Sequence, residues 1–254
     1  MCHVAFIKAM EEMGLKASVV SGTSIGAIVG GYYAAGVTSK DMEALIERMH
    51  FKNLSKMVDL SLFRGPSFIK GKRIEEFLDE TIPVERFEEL AIPLKVVATD
   101  FWSRQEAIFD SGPLVPAIRA SMSVPVLFEP VQFDGRVFVD GGVVNPVPTD
   151  VIHDACDVLI AIDVSGTRTP HTNGPMPTLL ESAVSAFEIM QESILEARMK
   201  WSRPDVVVKP ALRDVHLMDF HKAEEILAGV RGDVERFKRD LGSKMGKKKR
   251  FIWF

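Results

Sequence analysis

Five residues constrain this 254-residue chain more than any others: Gly22-Thr23-Ser24-Ile25-Gly26, a G-x-S-x-G pattern between a β-rich run and a small-residue helix. A serine on a sharp strand-to-helix turn is held in a strained backbone conformation that projects its hydroxyl out of the sheet. Glycines two before and two after it let neighbouring backbone pass without a Cβ clash. The following helix aims its N-terminus at the hydroxyl, which favours an oxyanion, and the Ile25 N–H is a natural donor to it. The pattern therefore predicts Ser24 as a nucleophile. A tight structural βα turn is the plainer reading of the same residues, and the strand-before, helix-after context argues against it.

The flanking segments set the fold class. Val4 to Met13 reads as an amphipathic helix stopped by Gly14, Ala17 to Ser21 as a short buried strand, and Ala27 to Ala35 as a helix ended by Gly36. A further helix starts after Ser39, and another covers Arg73 to Asp79. Leu94 to Thr99 is a strand that Glu106 to Phe109 can pair with, Val115 to Ala120 is helical, and Arg136 to Val139 is a strand running into Asp140-Gly141-Gly142. Val158 to Val164 is nearly continuous apolar, as expected of a central strand covered on both faces. A polar loop from Ser165 to Pro177, a long helix to about Trp201, a strand at Val206 to Val208 and a helix from Lys222 to about Leu241 complete the chain. This alternation predicts a three-layer α/β/α fold with a mostly parallel central sheet. One domain spans residues 1–254, with a basic-aromatic tail at 243–254.

Composition narrows the partners. A formal net charge of −4 argues against nucleic acid, which needs a broad basic surface. Two cysteines, Cys2 and Cys156, give no disulfide framework and read as reduced thiols of a cytoplasmic compartment. The first residues lack the apolar run of a secretory signal. The longest uncharged apolar stretch, Ile25 to Val37, is too short to span a bilayer, so a membrane would be touched at its inner surface and not crossed.

A serine nucleophile needs a base. In α/β-hydrolases several strands precede the elbow, and Ser, Asp or Glu, and His follow in that order. Here the elbow comes too early, and none of His50, His153, His171, His216 and His221 ends a strand in a suitable loop. Asp140 does end an apolar strand, where catalytic groups of open α/β sheets gather. Partial burial would raise its basicity enough to accept the serine proton without an imidazole. An Asp-Gly turn is the bland alternative, and the elbow tips the balance towards catalysis.

Taken together, these residues resemble the patatin-like phospholipases, whose hallmark is a Ser–Asp dyad. The serine lies in G-x-S-x-G early in the chain, and the aspartate in D-G-G or D-G-A further on. Gly22 to Gly26 matches the first motif and Asp140-Gly141-Gly142 the second. The resemblance also covers His3 through Met13, Arg119-Ala120-Ser121-Met122-Ser123-Val124-Pro125, and Asn145-Pro146-Val147-Pro148. It implies hydrolysis of lipid acyl esters, phospholipid or lysophospholipid, through an acyl-enzyme, with no metal or cofactor. Ser24 and Asp140 would be catalytic, with Gly22, Thr23, Ile25, Gly26, Gly141 and Gly142 shaping the elbow and the aspartate turn.

The family pattern places a strand and a glycine-rich loop, G-G-G-x-[RK]-G, just before the residues matching Met1 to Met13, and that loop supplies most of the oxyanion hole. This sequence starts after it. The expectation is a native chain that extends upstream of Met1 and a sheet here lacking its first strand. A truncated, weakly active or non-catalytic lipid-binding paralogue is the alternative, and an acyltransferase is a further one. Loss of one oxyanion donor costs about 10² to 10³ in rate. Two segments are candidates for lipid contact. Phe51 to Phe68, apolar and basic, reads as a lid or as core packing. Lys247 to Phe254 reads as an anionic-surface anchor or a solvated tail.

Overall fold

The computed structural model describes residues 2–51, 71–166, 176–210, 212, 229–245 and 251–252. Helix α1 (Cys2–Glu12) ends at Gly14, whose φ of 68° is the left-handed stop expected there. Strand β1 (Val20–Thr23) runs into helix α2 (Ile25–Ala34), and α3 (Ser39–Phe51) and α4 (Lys72–Thr81) follow. The strand sits closer to the motif than Ala17 to Ser21, so it delivers the chain directly into the turn at Ser24. The expected lid residues 52–68 lie outside the described part of the chain, as do 246–250 and 253–254 of the tail.

Strand β2 (Leu94–Asp100) organises a five-stranded sheet. It pairs parallel with β1, antiparallel with β3 (Gln105–Phe109) and antiparallel with β5 (Arg136–Asp140). β4 (Val131–Phe133), which sequence patterning did not reveal, forms a hairpin with β5. Helix α5 (Leu114–Ser121) precedes that hairpin. Strand β6 (Val158–Ile162), buried at every position, lies between β7 (Val206–Val208) and β8 (Phe251–Ile252) and is parallel to both. The five-stranded sheet is thus mixed, with β2–β3, β2–β5 and β4–β5 antiparallel, and the three-stranded sheet on β6 is parallel.

The two sheets share faces. Val20 of β1 joins Val158 and Ile160 of β6 in the main apolar core, while Val19 joins Leu159 and Ala161 in a second cluster on the opposite side. Among the described residues no ladder joins β1 to β6, and β1 is paired along one edge only. Helices α1 and α7 (Arg231–Met245) meet through Phe6 and Phe237, edge to face at 5.4 Å. Helix α6 (Leu179–Ser202) is the long helix anticipated, opened by a reciprocal Thr178–Glu181 capping box and closed by Arg203 at φ 40°. Helices therefore cover both sides of the sheet. Among the described residues no helix is long and apolar enough to cross a membrane.

Candidate active site

Ser24 caps α2 with φ 54° and ψ −121°, a conformation a non-glycine residue rarely adopts. Three contacts hold the turn. The Ser24 N–H donates to Ser121 Oγ at 2.9 Å, and that hydroxyl donates to the Val97 carbonyl at 2.6 Å. Thr23 Oγ1 donates to the Asn145 carbonyl at 2.8 Å. Thr23 therefore ties the elbow to the segment after the aspartate turn. Ile25 begins α2, where a helix start leaves its leading N–H groups without an intrahelical acceptor, while the Ala27 N–H donates back to the Ser24 carbonyl at 3.0 Å.

The two elbow glycines are not equivalent. A Cβ on Gly22 would lie 2.5 Å from the Gly26 carbonyl oxygen, so backbone packing demands glycine there. A Cβ on Gly26 would meet only His3 Nε2, at 4.0 Å, within the described surroundings. The expectation that both glycines avoid a clash holds for the first and fails for the second.

Asp140 ends β5 and is fully buried. Its carboxylate Oδ1 accepts from Gly142 N–H at 2.7 Å, and its carbonyl accepts from Thr99 Oγ1 at 2.8 Å. Oδ2 is buried without a hydrogen-bond partner among the described residues. Burial pushes the carboxyl up to about 6, against the opposing pull of the neighbouring Ser24 side chain and of the Gly142 N–H. The fold thus brings the Ser24 side chain beside a buried carboxyl.

Gly141 and Gly142 close the turn in a short 3-10 segment. A Cβ on Gly141 would lie 2.2 Å from the Val97 carbonyl oxygen. A Cβ on Gly142 would lie 1.8 Å from Nε2 of Gln191, so α6 lays a side chain directly over the aspartate turn. An apolar wall flanks α2: Met122, Val124 and Phe128 pack with Ile28, one turn after Ser24, and with Phe187 of α6.

Several of these residues escaped the sequence reading. Ser121 and Ser123 lay inside a quoted motif without a role; Ser121 braces Ser24, and the Ser123 carbonyl receives the Asp140 N–H at 2.9 Å. Arg119, buried, donates to Ser123 Oγ at 2.7 Å and fixes that segment. His3 was passed over as preceding the elbow. Its imidazole is buried beside Gly26, and burial pushes it down to about 3 and leaves it neutral. Gln191 carried no sequence signal at all. No group of three His, Cys, Asp or Glu side chains among the described residues could hold a metal ion.

The comparisons with known proteins agree on one family. The patatin-like phospholipase family model matches residues 1–153, which include the elbow and the aspartate turn. An uncharacterised NTE-family protein of Mycobacterium tuberculosis is 30% identical over 167 residues, covering 65% of this chain and 46% of that protein. The lysophospholipase NTE1 of Kluyveromyces lactis is 26% identical over 249 residues, covering 88% of this chain and 17% of the relative. The chain thus spans less than half the length of these curated relatives. VipD from Legionella pneumophila shares the fold, with a TM-score of 0.52 at 14% identity, over 92% of this chain and 64% of that one.

Proposed function

Because the chain belongs to the patatin-like phospholipase family, we propose that it hydrolyses lipid acyl esters, phospholipid or lysophospholipid, through a Ser24–Asp140 dyad. The observation that carries this reading is the pairing of a serine held at φ 54° with a fully buried, solvent-deprived carboxyl beside it. In the proposed reaction Asp140 accepts the hydroxyl proton as Ser24 Oγ attacks the ester carbonyl. The tetrahedral oxyanion develops against the N-terminus of α2, where the Ile25 N–H is the nearest backbone donor in sequence. Collapse expels the alcohol, which takes the proton back from Asp140, and leaves an acyl-serine. Water, deprotonated by the same carboxylate, then releases the fatty acid. The wall of Met122, Val124, Phe128 and Ile28 suits the acyl chain, since such pockets are mainly apolar with a few convergent polar groups. Residues 1–254 act in this reading as one patatin-like domain.

The test is esterase turnover and fluorophosphonate labelling of the chain beside Ser24→Ala and Asp140→Asn. Labelling confined to Ser24, and turnover lost in both variants, supports the dyad. Equal turnover in wild type and Ser24→Ala removes the nucleophile assignment.

A further inference from the structure

Helix α6 has two ends with different environments. Its C-terminal half is anchored: Leu195 is buried, Arg198 pairs with Asp150, and Ser202 Oγ accepts from Thr149 Oγ1 at 2.6 Å. Its N-terminal half touches the described residues where Phe187 joins the apolar wall beside α2 and Gln191 lies over Gly142. Among the described residues nothing covers the opposite side. Leu179 is 89% exposed, Ile189 65% and Met190 56%, and Met176 just before the helix is 91% exposed.

Charge along the helix is segregated. At 3.6 residues per turn, Leu179, Ser182, Ala186, Ile189, Met190 and Ser193 fall within roughly a third of the helix circumference. No charged side chain lies among them. Glu181, Glu188, Glu192 and Glu196 gather on the adjoining arc, and the first basic residue of the helix is Arg198. An ordinary solvated helix face carries charge, and a core-facing stripe would be covered. This stripe is uncharged and, among the described residues, uncovered, and the same helix lies over the aspartate turn.

We infer that the exposed N-terminal face of α6 docks on a zwitterionic or neutral lipid surface. This rests on the lipid-ester reading above and adds to it the element that meets the membrane. Burying apolar side chains at an interface is favourable because it removes them from water. The neighbouring carboxylates would be repelled by an anionic surface, so the charge pattern selects zwitterionic or neutral lipid. Helices with one apolar and one charged face lie in the interface plane in this way.

The experiment is flotation with phosphatidylcholine vesicles, done in a Ser24→Ala background so that binding is read without turnover. The variants are Leu179→Glu/Ile189→Glu/Met190→Glu, Ala186→Trp, and a truncation after Met245. The expected results are vesicle binding by the parent, at least tenfold weaker binding by the triple variant, stronger binding by Ala186→Trp, and little change on truncation. The triple change restored to the Ser24 form should keep its turnover of a water-soluble short-chain ester within twofold while losing turnover of vesicle lipid; that unchanged soluble activity also certifies folding. No vesicle binding by the parent, or binding indifferent to both face variants, overturns the inference. So does binding to phosphatidylserine vesicles that exceeds phosphatidylcholine binding in the truncated chain. If light scattering shows a dimer that the triple variant dissolves and vesicles are not bound, the face is a self-association surface and the inference falls. Vesicle binding without any Ser24-dependent ester turnover would keep the docking face and remove the hydrolase reading.

Discussion

At Ser24 and Asp140 two unfavourable local states are held by their surroundings. The serine keeps a backbone conformation that costs of order 1–3 kcal/mol, and the Ser121 hydroxyl and the Gly22 close approach hold it there. The carboxyl is raised from 3.8 to about 6 by burial. If ionised Asp140 is the base, turnover rises through pH 6, about tenfold between pH 5 and pH 7, and then levels off; a pH–rate profile on a soluble ester checks this. The stability consequence has the opposite sign. A carboxyl with a raised folded pKa gives full stability below pH 3.8 and loses it as pH climbs through about 6. Asp140→Asn should therefore abolish turnover yet be more stable at pH 8, by up to about 3 kcal/mol, with the difference closing below pH 4; urea titrations at both pH values measure it. The elbow glycines give a second pair of outcomes. Gly22→Ala should fail to fold or lose several kcal/mol, because its Cβ meets backbone, whereas Gly26→Ala should fold normally. Thermal melts of the two variants separate these. A five-residue pattern carries no such asymmetry, because the clash depends on where Gly26 turns back, and that is a property of the folded turn.

Elements differ in how openly the sequence displayed them. Residues 158–162, apolar at every position, and the 94–100 and 105–109 runs were visible because burial on both faces, or hairpin pairing, leaves a periodic trace. The strand at 131–133 was hidden, since three residues hold too little pattern to stand out beside the turn. Helix α6 was visible as a helix, while its place over the aspartate turn was not, because Gln191 is an unremarkable polar residue on a long amphipathic segment. The N-terminus of α6 rests on its cap and on few inward contacts. Thr178→Ala should cost about 1 kcal/mol and speed hydrogen exchange selectively over residues 179–190, leaving 195–202 protected; exchange mass spectrometry reads both halves at once.

Across the whole molecule the catalytic candidates come from the sheet built on β2, while β6 and its partners complete the core on both sides. Faces shared by Val19 and Val20 with β6 make one packed body out of two ladders. Helices α1 and α7 close this body through Phe6 and Phe237 and through Lys238 to Glu12 at 2.6 Å. Phe237→Ala removes a ring that is 1% exposed and should cost about 3–5 kcal/mol in a chemical denaturation midpoint, far more than loss of the Lys238 pair at the surface. The layered fold was legible from strand–helix alternation. The division of the sheet was not, because pairing partners distant in sequence leave no local periodicity.

The aspartate turn carries a rule for reading related sequences. Its first glycine faces the Val97 carbonyl, which cannot retreat without breaking the β2 ladder, so nothing larger fits at position 141. Its second faces the tip of the Gln191 side chain, which can swing away, and a Cβ there would also lie 2.9 Å from Asp140 Oδ1, a buried carboxylate oxygen held by the Gly142 N–H. Position 142 therefore admits alanine only where residue 191 and the Asp140 carboxylate both give way. Residues 142 and 191 should be exchanged together, a linkage between the turn and its covering helix that neither segment announces alone.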